Sequence, residues 1–251
     1  RNDCCRRGTP LVPRGVMVHS TGANNPYLRR YVQPDDGELG KNRYDNDWNR
    51  PGLPVCVHAF LGKKAGGGIA VYQTLPWEMR GWHCGGSANS THIGVEMTEP
   101  SAGMTRSEAA EQIAGTYRTV VELFAELCKQ YELDPAQDGV IIGHAEGHRR
   151  GVASNHADPE LLWRTYDMGY TMDGFRRDVA EAMKNGAREE ALDMPRYDSV
   201  AEMPQWARAG VQRLIDRGAL QGNTDGKLDV SEDMIRTMIV CQRMLDEQRE
   251  T

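Results

Sequence analysis

No run of about 18 apolar residues occurs in the chain, so no stretch of it is long enough to cross a bilayer as a helix. There is no excess of basic residues either. The formal net charge is −6, which argues against a nucleic-acid partner, since such a partner needs a basic patch. No C-x-x-C pair is present. The six cysteines, Cys4, Cys5, Cys56, Cys84, Cys128 and Cys241, form no compact framework. They read as scattered free thiols of a chain made in a reducing cytoplasm, with Cys56 and Cys128 in the core and Cys4-Cys5 exposed. No signal peptide is visible, although a chain that opens on Arg1 makes that a weak exclusion. What remains is a length of 251 residues, enough for one large or two unequal domains with a real core.

The most informative stretch is Gly143 to Trp163, GHAEGHRRGVASNHADPELLW. It holds His144, His148, His156 and Asp158. The apolar run Val140 to Ile142 before it reads as a buried strand, which puts His144 at a strand's C-terminal end, where α/β proteins place ligands. His156 and Asp158 are two apart and face the same way in an extended segment. Far upstream, Val16-Met17-Val18 is a second apolar run and ends in His19. Two strand-end histidines and a carboxylate suit a catalytic zinc, which takes three protein ligands and leaves a fourth position for water.

Other elements follow from periodicity. Val55–Leu61 and Gly68–Thr74 read as a strand pair turned by Gly66-Gly67-Gly68, with His58 a packed core histidine. Ile93, Val95 and Met97 alternate with Gly94 and Glu96, so Glu96 projects from the strand's second face. Thr105-x-x-Glu108 is a capping box. The helix behind it turns Ile113, Tyr117, Val120, Val121, Phe124, Leu127 and Cys128 to one side and is predicted to end near Gln130. A further helix is predicted to close at Gly186. Residues 22–52 form a long loop after His19, and most of its aromatic residues, Tyr27, Tyr31, Tyr44 and Trp48, are expected to pin it down.

Five pieces, VMVHST (16–21), VHAFLG (57–62), YQTLPWEMRGWHCGG (72–86), NSTHIGVEMTE (89–99) and GHAEGHRRGVASNHADPE (143–160), resemble in content and order the zinc-dependent type 2 N-acetylmuramoyl-L-alanine amidases, closest to the phage endolysin branch and related to the peptidoglycan recognition proteins. The resemblance spans roughly residues 14 to 185. It implies an α/β fold, a mixed central sheet flanked by helices with zinc at the strand ends. It implies hydrolysis of the amide between N-acetylmuramic acid and L-alanine in bacterial peptidoglycan. It assigns Zn²⁺ to His19, His144 and Asp158, the last preceding Pro159 as the family's third ligand precedes a proline. Glu96 follows Ile-Gly-Val as the family's catalytic glutamate does. His156 stands where relatives often carry an oxyanion-stabilising lysine, which leaves two assignments open: His156 as catalytic donor, or His156 as third ligand with Asp158 behind it. Trp82 and His83 match a segment bordering the substrate cleft. The alternatives are a non-catalytic peptidoglycan-recognition protein and a zinc endopeptidase on the stem peptide. The resemblance also implies synthesis in the cytoplasm and action at the cell wall.

The domain organisation expected is a catalytic domain over 1–185, a linker over 186–196 and a small helical module over 197–251. In the module, Pro204 starts a helix with Trp206, Gly210, Leu214 and Ile215 on its apolar face, and Gly218 stops it. Ser231 caps a second helix with Ile235, Met238, Ile239 and Leu245 inward. WARAGVQRLIDRGALQGNTDGKLDVS is similar to an S-layer homology module, although it is a single copy and lacks the intact threonine-arginine-alanine-glutamate motif. The module carries seven Arg/Lys and ten Asp/Glu, so net charge does not draw it to anionic wall polymers. Wall binding and homo-oligomer assembly are both compatible with it.

Overall fold

Asn2 starts the first element: its side chain accepts a hydrogen bond from the Cys4 N–H and opens α1 (Asp3–Arg7), a helix that periodicity is too short to reveal. The computed structural model describes residues 2–33, 37–193, 196–231, 234, 235, 238 and 239, with backbone alone for 187–193. Two compact units are present, Arg1–Asn185 and Gly186–Thr251.

In the first unit, the apolar runs become β1 (Gly15–Ser20), β2 (Ala59–Lys63), β3 (Ile69–Gln73), β4 (His92–Met97) and β5 (Ile141–Gly143). They lie in the order β3-β2-β4-β1-β5, parallel except for β3, which pairs antiparallel with β2. The mixed central sheet is therefore as expected. The β2–β3 turn uses Gly67 and Gly68 at φ of 92° and 73°, a region that favours glycine. β2 starts later than the sequence suggests, at Ala59. Cys56 instead pairs its backbone with Trp82, in both directions, at 3.2 and 2.9 Å.

Helices cover the sheet. α2 (Arg106–Gln130) begins with the predicted capping box, Glu108 N–H donating to Thr105 Oγ1 and Thr105 N–H to Glu108 Oε2, and ends where expected. Its seven predicted inward residues are all buried. They pack on Val16 and Val18 of β1 and Ile93, Val95 and Met97 of β4, one shared face of the two strands. Truncating Phe124 in this core would cost about 3–5 kcal/mol. α3 (His144–Arg149) follows β5 directly, and α4 (Glu160–Thr165) adds Leu162 and Trp163 to the same core. α5 (Met172–Asp193) adds Phe175 and Val179. α5 does not close at Gly186. It runs through the first eight residues of the expected linker, because a lone glycine costs only about 1 kcal/mol in a helix interior and nothing else there breaks it. The long loop 22–52 is pinned by its own cluster, in which Tyr31 stacks on Phe60 and Trp48 meets both edge to face. Tyr44 is exposed and pins nothing.

The cysteine expectation is corrected at two positions. Cys4 and Cys56 form a disulfide with Cα atoms 6.7 Å apart, and Cys4 is buried. No spacing rule links residues 52 apart; the pairing arises because α1 docks beside the Cys56–Trp82 bridge. Such bonds persist in oxidising surroundings, unlike the free thiols predicted. Cys84 and Cys128 are buried free thiols and Cys5 is half-buried. Cys241 lies outside the described residues.

In the second unit, β6 (Arg196–Tyr197) and β7 (Val230–Ser231) pair antiparallel, a strand element that the helical expectation lacked. α6 (Gln205–Asp216) follows Pro204, and Gly218 stops the turn beyond it at φ 70°. Its buried stripe is Ala207, Gly210 and Val211, one step round from the expected face, so Trp206 is left 46% exposed. Ser231 Oγ accepts from Met234 N–H, and Ile235 and Ile239 are buried against α6. Leu245 lies outside the described residues.

Candidate active site

β1 and β4 run parallel with His19 directly beside Glu96. Residues so paired point to the same face. Val18 and Val95 therefore enter the helix-covered core, while His19 and Glu96 emerge together on the other side. β5 lies along the other edge of β1, and its C-terminal end delivers His144 at the start of α3. Asp158, from the segment after α3, completes the group. Its Oδ2 lies 3.3 Å from His19 Nδ1 and its Oδ1 3.5 Å from His144 Nδ1. The two Nδ1 atoms are 3.0 Å apart. One donor atom from each of His19, His144 and Asp158 falls within 4.8 Å of the others.

Hydrogen bonds fix the tautomers. His83 Nε2 contacts the carbonyl oxygen of His92 at 3.1 Å, an acceptor only, so this nitrogen carries the proton. His83 Nδ1 is then an acceptor and takes the proton of His19 Nε2, 2.9 Å away. That leaves His19 Nδ1 as a lone pair. The same reasoning applies to His144. Ser154 Oγ donates to the carbonyl of Cys84 at 3.0 Å and so accepts from His144 Nε2–H at 3.2 Å. His144 Nδ1 is again a lone pair. Two lone pairs and a carboxylate converge on one point, an arrangement that repels itself unless a cation sits there.

The electrostatics agree. Burial holds His19 below the usual histidine range, against the opposing pull of Asp158, and burial with the charges of His19 and His58 holds His83 well below it. Both are neutral near pH 7. Burial pushes the Asp158 carboxyl up, and a positive charge beside it, such as a protonated His144 or His19, pulls it below the usual carboxylate range. Glu96 behaves in the opposite way. It is 5% exposed, and its Oε2 is buried without a hydrogen-bond partner. Burial, and then the charges of Asp158 and Glu99, push its carboxyl well above the usual range. Glu99 itself accepts from Ser20 Oγ at 2.6 Å and Gly22 N–H at 3.0 Å, which ties down the loop after β1.

The site opens into a cleft of about 1070 Å³. Trp82, His83, His144, His156 and Asp158 line it with Glu96. His156 is exposed at the mouth, its ring 4.5 Å from that of His144 and tilted by 30°. It brings no atom to the donor cluster. His148 is exposed and turned toward the Ala153 carbonyl, away from the site. His58 is fully buried, bonded to the Met79 carbonyl at 2.7 Å and to Gly94 N–H at 3.0 Å, as a core histidine. Sequence reading missed Ser154 and Asn89. Asn89 Oδ1 accepts from the backbone of His83 and Cys84 at 2.9 and 3.1 Å and so holds the His83 turn.

Comparison with known proteins adds a family. No curated protein matches the chain. Among solved structures, the chain is similar to the Staphylococcus aureus hydrolase AmiA (23% identity, 72% of this chain and 78% of that one, TM-score 0.49). It is also similar to a mutant endolysin from Bacillus subtilis (20%, 68% and 88%, TM-score 0.42) and to the N-acetylmuramyl-L-alanine amidase AmiD from E. coli (15%, 64% and 59%, TM-score 0.36). The decisive match is in sequence: Amidase_2, N-acetylmuramoyl-L-alanine amidase, covers residues 8–161, well over half of the chain. That span holds every residue of the centre just described, and the chain belongs to the N-acetylmuramoyl-L-alanine amidase family.

Proposed function

We propose that this chain is a zinc-dependent amidase that cleaves the bond between N-acetylmuramic acid and L-alanine in bacterial peptidoglycan, with His19, His144 and Asp158 as ligands. The observation that carries the metal is the facing pair of Nδ1 lone pairs beside an ionised carboxylate, next to a buried glutamate with an unpartnered oxygen. Two neutral nitrogens and one carboxylate are donors that zinc accepts. When bound, Zn²⁺ supplies Lewis acidity toward the scissile carbonyl and acidifies a water.

The residues do the rest. His83 and Ser154 hold the two histidines with Nδ1 inward. Glu96 takes a proton from the attacking water and returns one to the leaving amine. A carboxyl pushed above its usual range is the stronger base for the first step and holds the proton for the second. His156, at the mouth, donates to the oxygen that gains charge as the amide is attacked. Asp158 is favoured over His156 as third ligand because its oxygens reach the centre. Trp82 forms part of the wall on which substrate rests. We assign catalysis to residues 1–185 and, on the sequence likeness to an S-layer homology module, a cell-wall-targeting role to 197–251. The partner is peptidoglycan; among the described residues no helix is long and apolar enough to span a bilayer. The chain is made in the cytoplasm and acts at the wall.

The test is mass analysis of muropeptides after digestion, with and without a chelator. Released stem peptides beginning at L-alanine, lost on chelation and regained with Zn²⁺, are the expected products. Cleavage within the stem peptide would point to an endopeptidase, and undiminished lysis after metal removal would overturn the mechanism.

A further inference from the structure

The cleft has a cationic end that the chemistry above does not use. Arg7 and Arg80 both line it. Arg6 pairs with Asp3, but neither Arg7 nor Arg80 forms an ion pair among the described residues. Arg80 Nε donates to Ser90 Oγ at 3.0 Å. The Arg7 guanidinium donates no hydrogen bond to a described residue; it lies over the Trp82 ring, 5.0 Å from the centroid, and the residue is exposed. Stacking on an indole uses the face of a guanidinium and leaves its in-plane N–H donors for another group.

Arg7 belongs to an element fixed in the cleft wall. The Cys4–Cys56 disulfide ties α1 to the strand-like segment that pairs with Trp82. Asn2 Nδ2 donates to the carbonyls of Trp48 and Val55 at 2.9 and 2.6 Å. Past the helix, Arg80 N–H donates to the Thr9 carbonyl at 2.8 Å and Leu11 N–H to that of Glu78 at 2.7 Å. Disulfide, indole and guanidinium thus form one assembly. Elsewhere the same cleft is lined by Glu96, Glu99 and Asp158. A substrate carboxylate is repelled by those groups and attracted by the cations.

We propose that Arg7 is a specificity-determining residue that binds a carboxylate on the peptide of the muramoyl-peptide substrate, and that the Cys4–Cys56 disulfide holds it over Trp82 for this purpose. A guanidinium fork matches a carboxylate with two parallel hydrogen bonds, which an amide cannot accept in the same way. The identity of the ligand rests on the amidase reading; the cationic subsite rests on the geometry.

The experiment uses two muramoyl peptides that differ only in whether the peptide carboxylate is free or amidated. Binding is read by calorimetry in a Glu96→Gln background, so that it does not depend on turnover. The free-carboxylate ligand is expected to bind tighter on the order of 10-fold, as a partly exposed charge-assisted pair should. Arg7→Gln should abolish the preference while leaving the amidated ligand unaffected, and Arg7→Lys should keep part of it. Removing the disulfide by Cys4→Ser with Cys56→Ser should also abolish the preference. No preference in the parent, a preference that survives Arg7→Gln, or equal loss for both ligands overturns the subsite. A preference that survives loss of the disulfide overturns the latch. If the wild-type chain cleaves neither peptide yet shows the preference, the amidase reading fails and the subsite stands.

Discussion

Gly94→Ala changes none of the proposed zinc ligands, yet it should weaken the metal binding we propose for them. An added Cβ at this position would lie 2.3 Å from His83 Cγ and 2.5 Å from its Nδ1, closer than real Cβ contacts come. The strand cannot retreat, because the Gly94 backbone is bonded on both sides to His58, at 3.0 Å through its N–H and 2.9 Å through its carbonyl. The His83 ring must therefore move. Its Nδ1 then leaves His19 Nε2, and the proton that keeps His19 Nδ1 a lone pair loses its acceptor. Loss of such an outer partner typically weakens metal affinity about 10–100-fold. The overpacking itself should cost about 1–3 kcal/mol of stability without metal. Zinc affinity is measured by competition with a chromophoric chelator, and metal-free stability by denaturant unfolding. His83→Ala should weaken zinc to a similar degree without the overpacking penalty. Wild-type affinity in both variants would refute the orientation argument, since His19 would then hold its tautomer without His83.

Glu96→Gln should retain zinc and lose about 10²–10⁴ in turnover, as a lost general base does; a parallel fall in zinc content would make Glu96 a ligand instead. His156→Ala should cost on the order of 10²–10³ in turnover with zinc retained, the usual loss for one oxyanion donor. Stability should fall on acidification from pH ~6.5 to ~4: unfolded His58 takes a proton below ~6.5, whereas burial lowers the folded group to about 4, so the unfolded state binds more protons in that window and about 3 kcal/mol is lost. His58→Gln should flatten that part of the pH–stability curve. A chain ending at Asn185 should still cleave small soluble muropeptides but lose binding to intact walls; unchanged wall binding, with a change from oligomer to monomer, would make the second unit an assembly element.

Much of this was legible in the sequence where one residue's neighbours determine its role. The α2 capping box and stripe depend on spacings within one helix, and all seven inward residues are buried. The placement of His19, Glu96 and His144 at or within apolar runs was legible, and parallel strands bring such positions together, whereas the role proposed for Glu96 came from the family resemblance alone. The parts that escaped depend on contacts between segments far apart in the chain. Ser154 and Asn89 hold histidines through single hydrogen bonds that leave no periodic trace. Cys4 meets Cys56 only because α1 lies against the Cys56–Trp82 pair. The disulfide closes a loop with a sequence separation of 52 residues, a constraint of about 4 kcal/mol on the unfolded chain. Trp206 was placed one step off because Gly210 opens α6 to Ile239, and that contact sets the buried face.

The His156 and Asp158 pair shows how a local rule can hold and still leave chemistry undecided. Residues two apart in an extended segment do share a side, and both reach the cleft. They reach it at different depths. Asp158 carries its oxygens to within 3.3 and 3.5 Å of the two histidine nitrogens, and the Ser20 N–H donates to Oδ2 at 3.3 Å, fixing the carboxylate from β1. Among the described residues no comparable tether acts on His156, whose ring leans on that of His144 from the solvent side. A ligand needs to be held before the metal arrives, because ordering a side chain on binding subtracts from affinity. An oxyanion donor at the mouth needs reach toward a substrate that enters from solvent. The anchored carboxylate suits the first role and the outer imidazole the second. The division of labour proposed for the pair therefore follows from which side chain the strand end grips, a property set by β1 rather than by the His-x-Asp sequence itself.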